Sequence, residues 1–449
     1  MLKRILTILG VLVLVAVVAI GGIILYSRQQ MKARLPIADV QGTRPNITAP
    51  RSAPFPMVKT AKPIGWQNGA MPTVAAGLKV QPFATGLDHP RWMLVLPNGD
   101  VLVAETNAPP KPADNSGLKG WIQKKIQGSA GAGVKSPDQI ILLRDTNGDG
   151  VADQRSVLIG GLSSPFGMAL VGGELFIADA DALVKVPFTP GQTRINAKPV
   201  KVVDLPGGPI NHHWTKNVVA NPDGSRLYVT VGSNSNVGER GMKVEEGRAA
   251  VWEVNPKTGD HRIFAYGVRN PNGLAWEPST KQLWMVVNER DELGSDLVPD
   301  YLAAVQFGGF YGWPWYYWGG IADSRPKEPD TQELQETVIR PDYALGPHTA
   351  SLGLTFAEGA RLGAGFTDGA FIGQHGSWNR NPPSGYRVIF VRFAKGHPTG
   401  KPIDVLTGFL DDEGQARGRP VDVKIDRGGG LLVADDVGNA IWRVSGAGR

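Results

Sequence analysis

The chain has 449 residues, of which 42% are apolar and 20% are charged, as is usual for a globular protein of one or two domains. It contains no cysteine, so disulfides, zinc–thiolate sites and a cysteine nucleophile are excluded. The net charge of +6 is modest for this length and the basic residues form no patch, which argues against nucleic-acid binding.

The sequence opens with an apolar run from Ile5 to Tyr26. A run of about 20 apolar residues is long enough to cross a bilayer as a helix. No small-residue cleavage site follows it, which favours an uncleaved anchor over a signal peptide. We therefore expect residues 1–28 to be a transmembrane helix in the inner (cytoplasmic) membrane, with the rest of the chain in the periplasm or otherwise outside the cytoplasm.

Residues 29–76 are rich in Pro, Gly and Arg and show no sustained periodicity. This composition predicts a tether between the membrane and a domain, and the region around Trp66 is the part that could pack on that domain.

From Val80 onward the sequence repeats one unit: a short loop, an apolar strand, a Gly- or Pro-containing turn, and a second apolar strand that ends in polar residues. One such unit cannot cover both faces of its sheet, whereas a ring of units covers them all. The repeat predicts an all-β domain over residues 77–449, a six-bladed β-propeller with four-stranded blades. The six units begin at or near Gly86, Gly161, His213, Gly267, Ser351 and Gly418.

In a propeller, the start of each innermost strand lines the mouth of the central channel. Side chains just before these strands should therefore converge on one face of the ring. The side chains in this position are those of Arg91, His213, Arg269, Asn270 and Arg419.

These residue types suit acid–base chemistry and the binding of an anionic group. A histidine titrates near neutral pH and can take a proton from a hydroxyl, although the pair His212-His213 taken alone would be an ordinary surface pair. Arg269 offers a fixed positive fork, and Asn270 both donates and accepts hydrogen bonds. Arg417 and Arg419, with one glycine between them, suit the capture of carboxylates, or they are two solvated arginines.

Two stretches suggest calcium, which prefers oxygen ligands. The first is the turn Glu289-Arg290-Asp291, where the signal is weak because acidic turns are common. The second runs from Asp145 to Asp153, with possible ligands at Asp145, Asn147, Asp149 and Asp153. It matches the start of an EF-hand loop but has Ser156 where the closing glutamate belongs, so a polar hairpin turn explains it equally well.

Three segments together resemble the soluble pyrroloquinoline quinone-dependent aldose dehydrogenases, and most closely their sorbosone dehydrogenase branch. They are Arg269-Asn270-Pro271-Asn272-Gly273-Leu274, Gly309-Phe310-Tyr311-Gly312-Trp313-Pro314 and Arg419-Pro420-Val421-Asp422-Val423. The resemblance covers residues 80–444 and implies a six-bladed propeller, as the repeat count does. It also implies pyrroloquinoline quinone and Ca²⁺ as cofactors.

The resemblance implies roles for single residues. His213 is similar to the family's general base and Arg269 to the arginine above the quinone carbonyl. Asn270 is similar to a cofactor-binding neighbour, and Arg417 and Arg419 resemble the pair that holds the cofactor carboxylates.

For two parts of the family site the resemblance is less direct. The turn Glu289-Arg290-Asp291 resembles the one whose backbone carbonyls hold the cofactor's calcium, without its usual glycine-proline. His375 and Arg380 lie in the region of a family lysine that contacts the quinone, and the choice between them stays open.

The expected function is oxidation of an aldose or sugar aldehyde such as sorbosone by hydride transfer to the quinone. Electrons would pass to a cytochrome or a membrane quinone. Two alternatives are a calcium-dependent propeller lactonase and a non-catalytic sugar-binding propeller. The lactonase would leave the paired arginines without a role.

Overall fold

The computed structural model describes residues 2–30, 32–52, 59–110, 134–326 and 332–448. Helix α1, Leu2–Gln30, comes first, and its apolar side chains between Ile5 and Tyr26 are exposed. By length and composition it could cross a bilayer, and a signal sequence would have the same properties. The remaining helical segments in the described ranges are the short helix α2, Gln332–Thr337, and the 3₁₀ turns Ile37–Val40, Met242–Glu245 and Ala364–Phe366.

The strands form six antiparallel four-stranded blades, and in each blade the strands run in the following order from the inner to the outer edge. Blade 1 is Pro90–Val95, Val101–Glu105, Gln139–Arg144 and Gln154–Gly160. Blade 2 is Met168–Val171, Glu174–Ala178, Ala182–Pro187 and Val200–Asp204. Blade 3 is Val218–Ala220, Leu227–Val231, Ala250–Val254 and His261–Tyr266. Blade 4 is Asn270–Trp276, Leu283–Asn288, Pro299–Ala304 and Tyr343–Pro347. Blade 5 is Ser351–Phe356, Gly369–Gln374, Arg387–Ala394 and His397–Thr407. Blade 6 is Pro420–Ile425, Leu431–Asp435, Ala440–Gly446 and Leu78–Thr85.

The ring closes through the two ends of the domain. Leu78–Thr85, from its N-terminal end, pairs antiparallel with Ala440–Gly446 and becomes the outer strand of blade 6. Three short additions complete the strands: Thr73–Val74 joins blade 5, Gly309–Phe310 joins blade 3 in parallel, and Tyr316–Tyr317 pairs with Ile321–Ala322. The predicted all-β six-bladed propeller is confirmed.

The core lies between blades rather than within them. One buried cluster joins blades 2 and 3, another joins blades 4 and 5, and another joins blades 5 and 6. The inner strands approach closely near the axis, where Gly273 of blade 4 leaves no room for a Cβ against the backbone of Leu352 in blade 5. This is the packing that the repeat argument requires, since each blade buries its faces on its neighbours.

The segment predicted as a tether lies along the propeller over its described residues. Val40 is buried, and Gly42 pairs with Ala344 in blade 4. The Trp66 ring packs 5.3 Å from that of Trp442, and its Nε1 donates to a buried carboxylate of blade 6 at 2.7 Å. The expectation that the Trp66 region packs on the domain is confirmed. The segment around Val40 and Gly42 packs on the domain as well.

Candidate functional site at the mouth of the ring

In each blade the loop before the inner strand and the loop after the second strand lie at the same end of the ring, because successive strands are antiparallel. We call this end the mouth. Of the five side chains predicted to converge there, His213 and Asn270 are neighbours across Gly232: a Cβ on that glycine would lie 2.5 Å from His213 Cβ and 2.7 Å from Asn270 Oδ1.

His213 lies in the loop before the inner strand of blade 3 and is half-buried. Its Nδ1 is 2.8 Å from the Ser233 carbonyl oxygen and 3.0 Å from the Ser233 hydroxyl. A carbonyl can only accept, so this contact assigns the ring proton to Nδ1 and leaves Nε2 as the basic nitrogen of the neutral imidazole. The neighbouring His212 is exposed, with its ring 4.7 Å from that of His213.

A buried lysine supports this histidine loop from behind. Lys216 is fully buried and donates from Nζ to the Trp214 carbonyl at 3.0 Å. Burial lowers the pKa of Lys216 well below its ordinary value, and the charge of Arg248 lowers it further. Arg248 also bonds Asn211 in the same loop. The loop backbone is therefore held by interior contacts.

Arg269 is buried at the start of blade 4. It donates from Nη1 to the Glu289 carbonyl at 2.7 Å and from Nη2 to the Asn236 side chain at 3.0 Å. Its Nη2 also lies 3.3 Å from Asp291 Oδ2. The carbonyl oxygen of Arg269 accepts from the Ser233 amide at 2.7 Å, which ties the arginine to the residue that orients His213.

Asp291 joins loops of blades 4 and 5 at the mouth. Besides Arg269 it accepts from Asn379 Nδ2 at 2.7 Å and lies 3.2 Å from His348 Nδ1. Burial alone would raise the pKa of Asp291, but the His348 hydrogen bond and the charges of Arg269 and His348 outweigh it and hold that pKa well below its usual range. Burial lowers the pKa of His348, and Asp291 more than offsets this, so that pKa is raised. The carboxylate keeps Arg269 in place without being protonated itself.

The buried carboxylate of Asp436 organises a second group of side chains at the mouth. Asp436 Oδ2 is 2.9 Å from Arg91 Nη1 and 2.9 Å from His375 Nε2. Burial would raise the pKa of Asp436, but His375 and Arg91 hold it well below its usual range. Burial lowers the pKa of His375 to about 4 despite Asp436, and Arg419 and Arg91 add to that lowering. His375 thus stands as a neutral hydrogen-bond donor beside two guanidinium groups.

Arg419 is buried in this group, and its guanidinium lies 5.2 Å from the Tyr386 ring. Burial lowers the pKa of Arg91, Asp436 opposes this, and the nearby charge of Arg419 lowers it again. The Arg91 guanidinium is also 5.9 Å from the Trp214 ring, next to His213. Arg91, predicted to reach the mouth but given no role, is thus the arginine beside Arg419.

For Arg417 and Arg380, also predicted to bind the cofactor, the described contacts are with loops. Arg417 is half-buried, and its backbone amide bonds the Phe409 carbonyl at 2.8 Å. Arg380 is buried with Nε 3.0 Å from the Ser295 carbonyl and Nη2 3.7 Å from Asp296. The described contacts of Arg380 link its own loop to the loop of Ser295 and Asp296 and do not involve Arg419.

The turn predicted to bind the cofactor's calcium is held by guanidinium groups instead. The Glu289 carbonyl accepts from Arg269, and the Asp291 carbonyl accepts from Arg290 Nη2 at 2.7 Å. Arg290 is paired in turn with Asp323. Burial raises the pKa of the Glu289 carboxyl to about 7, and its Oε2 accepts from the Arg290 amide. The guanidinium groups of Arg269 and Arg290 already donate to these carbonyls and would repel a calcium ion placed there. The residues present here therefore do not suit Ca²⁺.

The acidic hairpin of blade 1 lies at the end of the ring away from the mouth. Asp145 accepts from the amides of Gly148 and Gly150 at 2.7 and 2.8 Å, and Asp153 accepts from the Thr146 hydroxyl at 2.6 Å. These carboxylates satisfy their own turn, as in a polar hairpin. Within the described ranges, no three His, Cys, Asp or Glu side chains are grouped so that they could hold a metal.

The mouth does fit a flat polycarboxylate. Arg91 Nε, Arg419 Nε and Asn270 Oδ1 are buried and have no hydrogen-bond partner among the described residues. Buried polar atoms are normally paired, so such orphans mark a place for a ligand. Two arginine donors suit carboxylates, and an amide beside an imidazole suits a carbonyl or hydroxyl.

The Glucose / Sorbosone dehydrogenase family model matches residues 180–375, and the TrAA12-like family model matches residues 321–447. Over residues 180–375 the chain is similar to the sugar dehydrogenases of the first family. Among curated proteins, the pyrroloquinoline quinone-dependent pyranose dehydrogenase of Coprinopsis cinerea is 27% identical over 229 residues. That match covers 40% of this chain and 30% of the relative, so the chain spans less than a third of the relative's length.

Solved structures agree on the fold. The holo pyranose dehydrogenase PQQ domain from Coprinopsis cinerea superposes with a TM-score of 0.66 at 20% identity, covering 86% of this chain and 100% of that one. A calcium structure of the Trichoderma reesei Carbohydrate-Active Enzymes Family AA12 protein gives 0.68 at 17% identity, with coverages of 86% and 100%. At these identities the likeness concerns the propeller.

Proposed function

We propose that the protein is a quinoprotein that oxidises a sugar, either an aldose at its ring hydroxyl or a sugar aldehyde such as sorbosone as its hydrate. The coarser assignment, an oxidoreductase acting on sugars, is supported by the relationship to the sugar dehydrogenases. The observation that carries the proposal is the imidazole of His213, with its Nδ1 on the Ser233 carbonyl, beside Asn270 and close to Arg269.

Arg91, Arg419 and Asn270 would hold pyrroloquinoline quinone, since they present the orphaned donors and the orphaned acceptor at the mouth. When bound, this group supplies the two-electron acceptor for a hydride from the substrate carbon. His213 takes the hydroxyl proton at Nε2 while Ser233 keeps the proton on Nδ1. Arg269, fixed by Asp291, favours negative charge that develops nearby. The product is a lactone from a cyclic aldose or an acid from a hydrated aldehyde.

The two alternative functions, a calcium lactonase and a sugar-binding propeller, are less well supported by the described residues. A calcium lactonase needs several carboxylates and amides around one ion, whereas the mouth gathers guanidinium groups around single carboxylates. A binding-only propeller gives no reason for a histidine whose tautomer is fixed by a backbone carbonyl.

A cofactor titration tests the proposal. Purified full-length protein is titrated with pyrroloquinoline quinone, with and without Ca²⁺, and dye reduction is followed with several aldoses and sorbosone. His213→Gln should lower turnover by about 100-fold or more while the cofactor still binds, because only proton transfer is removed. His212→Gln is the matched control and should keep its activity. No cofactor-induced absorbance change, or equal activity in the two variants, would contradict the proposal.

The partners follow from the same proposal. The substrate is a small sugar, and the electrons leave to a respiratory acceptor, either a cytochrome or a membrane quinone. Helix α1 would place the enzyme at the inner membrane with the propeller outside the cytoplasm.

A further inference from the structure

The last turn of α1 is fastened to loops that surround the mouth. Arg51 donates from Nη1 to the Gln30 carbonyl at 2.7 Å and from Nη2 to the Lys32 carbonyl at 3.0 Å. The Ala33 amide donates to the Asn381 carbonyl at 2.8 Å. The apolar side chains of α1 before this turn are exposed, and, in the part of the chain that the structure describes, these hydrogen bonds between helix and propeller lie at the end of the helix.

One buried carboxylate holds the junction together. Asp296, which is 2% exposed, accepts from the Arg34 amide at 2.8 Å and from Arg51 Nη2 at 3.0 Å, and lies 3.7 Å from Arg380 Nη2. These contacts hold the residues just after α1 against the loop of Asp296, and losing any partner would leave the buried carboxylate poorly compensated.

The same loops carry site residues. The loop 289–298 contains Asp296 and also Asp291, which holds Arg269. The loop 375–386 contains Asn381 and also Asn379, which donates to Asp291. The point where the helix leaves is therefore on the rim of the mouth.

Side chains typical of a membrane interface surround that point. Trp378 is 42% exposed, and its carbonyl accepts from the Lys59 amide at 2.9 Å. Arg28, in the last turn of α1, and Lys32, which bridges to Asn381, are exposed. Tryptophan together with Lys and Arg is the composition found at the headgroup level of membranes.

We infer that the propeller sits with its mouth toward the bilayer that α1 enters, with Trp378 at the headgroup level and the contacts of Asp296 fixing this orientation. The partner surface is lipid. The inference does not depend on the reaction, because it uses only the helix, its junction and the exposed side chains around it.

The chain has no cysteine, so single cysteines can be placed for labelling. The exposed Asp412, in the connection between blades 5 and 6, is on the mouth side, and the exposed Lys257, in the last turn of blade 3, is on the other side. Full-length Asp412→Cys and Lys257→Cys proteins are labelled with a fluorophore and inserted into vesicles of phosphatidylcholine and phosphatidylglycerol. A headgroup-attached quencher should quench the label at 412 severalfold more than the label at 257.

Two further variants test the cause. Asp296→Asn should shrink the difference between the labels, and Trp378→Ala should reduce quenching at 412. Phe307→Ala is the control, since Phe307 is 63% exposed on the other side of the ring. Equal quenching of the two labels on vesicle-bound protein would overturn the orientation. Protein that does not stay with the vesicles would overturn the lipid assignment.

Discussion

Buried carboxylates in this protein differ in protonation according to the partner that each one meets. Asp291 and Asp436 face guanidinium and imidazole groups, which hold the pKa of each well below its usual range. Asp179 has no such partner among the described residues. Burial raises the pKa of Asp179 to about 7, the Ser163 amide only partly opposes this, and Asp181 and Asp138 raise it further. Desolvation wins where no cation is in contact.

Asp179→Asn should therefore stabilise the protein only at higher pH. The folded state keeps the proton up to about pH 7, whereas an unfolded aspartate ionises near pH 4. The stability from this group is complete below about pH 4 and is lost as the pH rises through about 7. The asparagine variant should gain on the order of 1–3 kcal/mol over the parent at pH 8 and little near pH 4. Denaturant unfolding of both proteins at pH 4 and pH 8 measures the difference. A variant that is less stable than the parent by the same amount at both pH values would contradict the prediction.

Two candidate pairs could hold the cofactor carboxylates: Arg91 with Arg419, and Arg417 with Arg419. Replacing Arg91 distinguishes between them. Arg91→Gln should weaken pyrroloquinoline quinone binding by about tenfold or more, because a charge-assisted hydrogen bond is lost beside Arg419. Arg417→Gln should leave the affinity unchanged, since Arg417 is half-buried and its described contact is the backbone bond to Phe409. Absorbance titrations of both variants give the comparison. A larger loss of affinity in Arg417→Gln than in Arg91→Gln would favour Arg417 and Arg419, the pair predicted from the sequence.

Single site residues could be predicted from the sequence by their place in the repeat. His213, Arg269 and Arg419 each precede an inner strand, and that position alone was enough to bring them to the mouth. Arg91 had the same signal but received no role. Asp436 and His348 could not be chosen in this way, because their partners are distant in sequence and no local pattern marks such pairs.

The inner strands depend on glycine where neighbouring blades approach. An added Cβ at Gly273 would lie 2.6 Å from the Leu352 carbonyl oxygen and 2.8 Å from the Leu354 amide. These are backbone atoms of the next inner strand, so they cannot move aside as a side chain could. Strand positions with close backbone approach are where glycine has a specific use.

Gly273→Ala should lower the free energy of unfolding by on the order of 1–3 kcal/mol, the usual cost of overpacking. Gly365→Ala is the matched control, because nothing lies within 4 Å of its Cβ position. Denaturant midpoints of the two variants provide the measurement. The idea fails if Gly273→Ala unfolds at the same denaturant concentration as Gly365→Ala.

The strands were largely predictable because short, nearly continuous apolar runs bounded by turns recur from blade to blade. The second strands of blades 1 and 6, at Val101–Glu105 and Leu431–Asp435, are those that the repeat indicated. The two-residue strands Thr73–Val74 and Gly309–Phe310 are too short to show a period, and long-range pairing alone defines them.

For the whole molecule, ring closure and the N-terminal segment escaped sequence reasoning for a common reason. Leu78–Thr85 completes blade 6, although it lies at the far end of the domain sequence from its partner strand. Residues 29–76 lack periodicity, yet Val40 is buried next to the Gly42–Ala344 pairing with blade 4, and Ala61 and Trp66 contact blade 6. Contacts made by single side chains leave no periodic trace in a sequence.

Two truncations distinguish closure of the ring from packing of the N-terminal segment. A chain of residues 77–449 should fold with reduced stability, because Trp442 and Phe409 lose the Trp66 ring. A chain of residues 87–449 also loses Leu78–Thr85, which exposes the edge of Ala440–Gly446 and removes the buried Phe83. An open edge invites pairing with other chains, so this shorter chain should aggregate or lose cooperative melting. Size-exclusion chromatography and thermal melts followed by circular dichroism compare the two. If residues 87–449 melt as sharply and at the same temperature as residues 77–449, closure by the N-terminal strand does not hold the ring together.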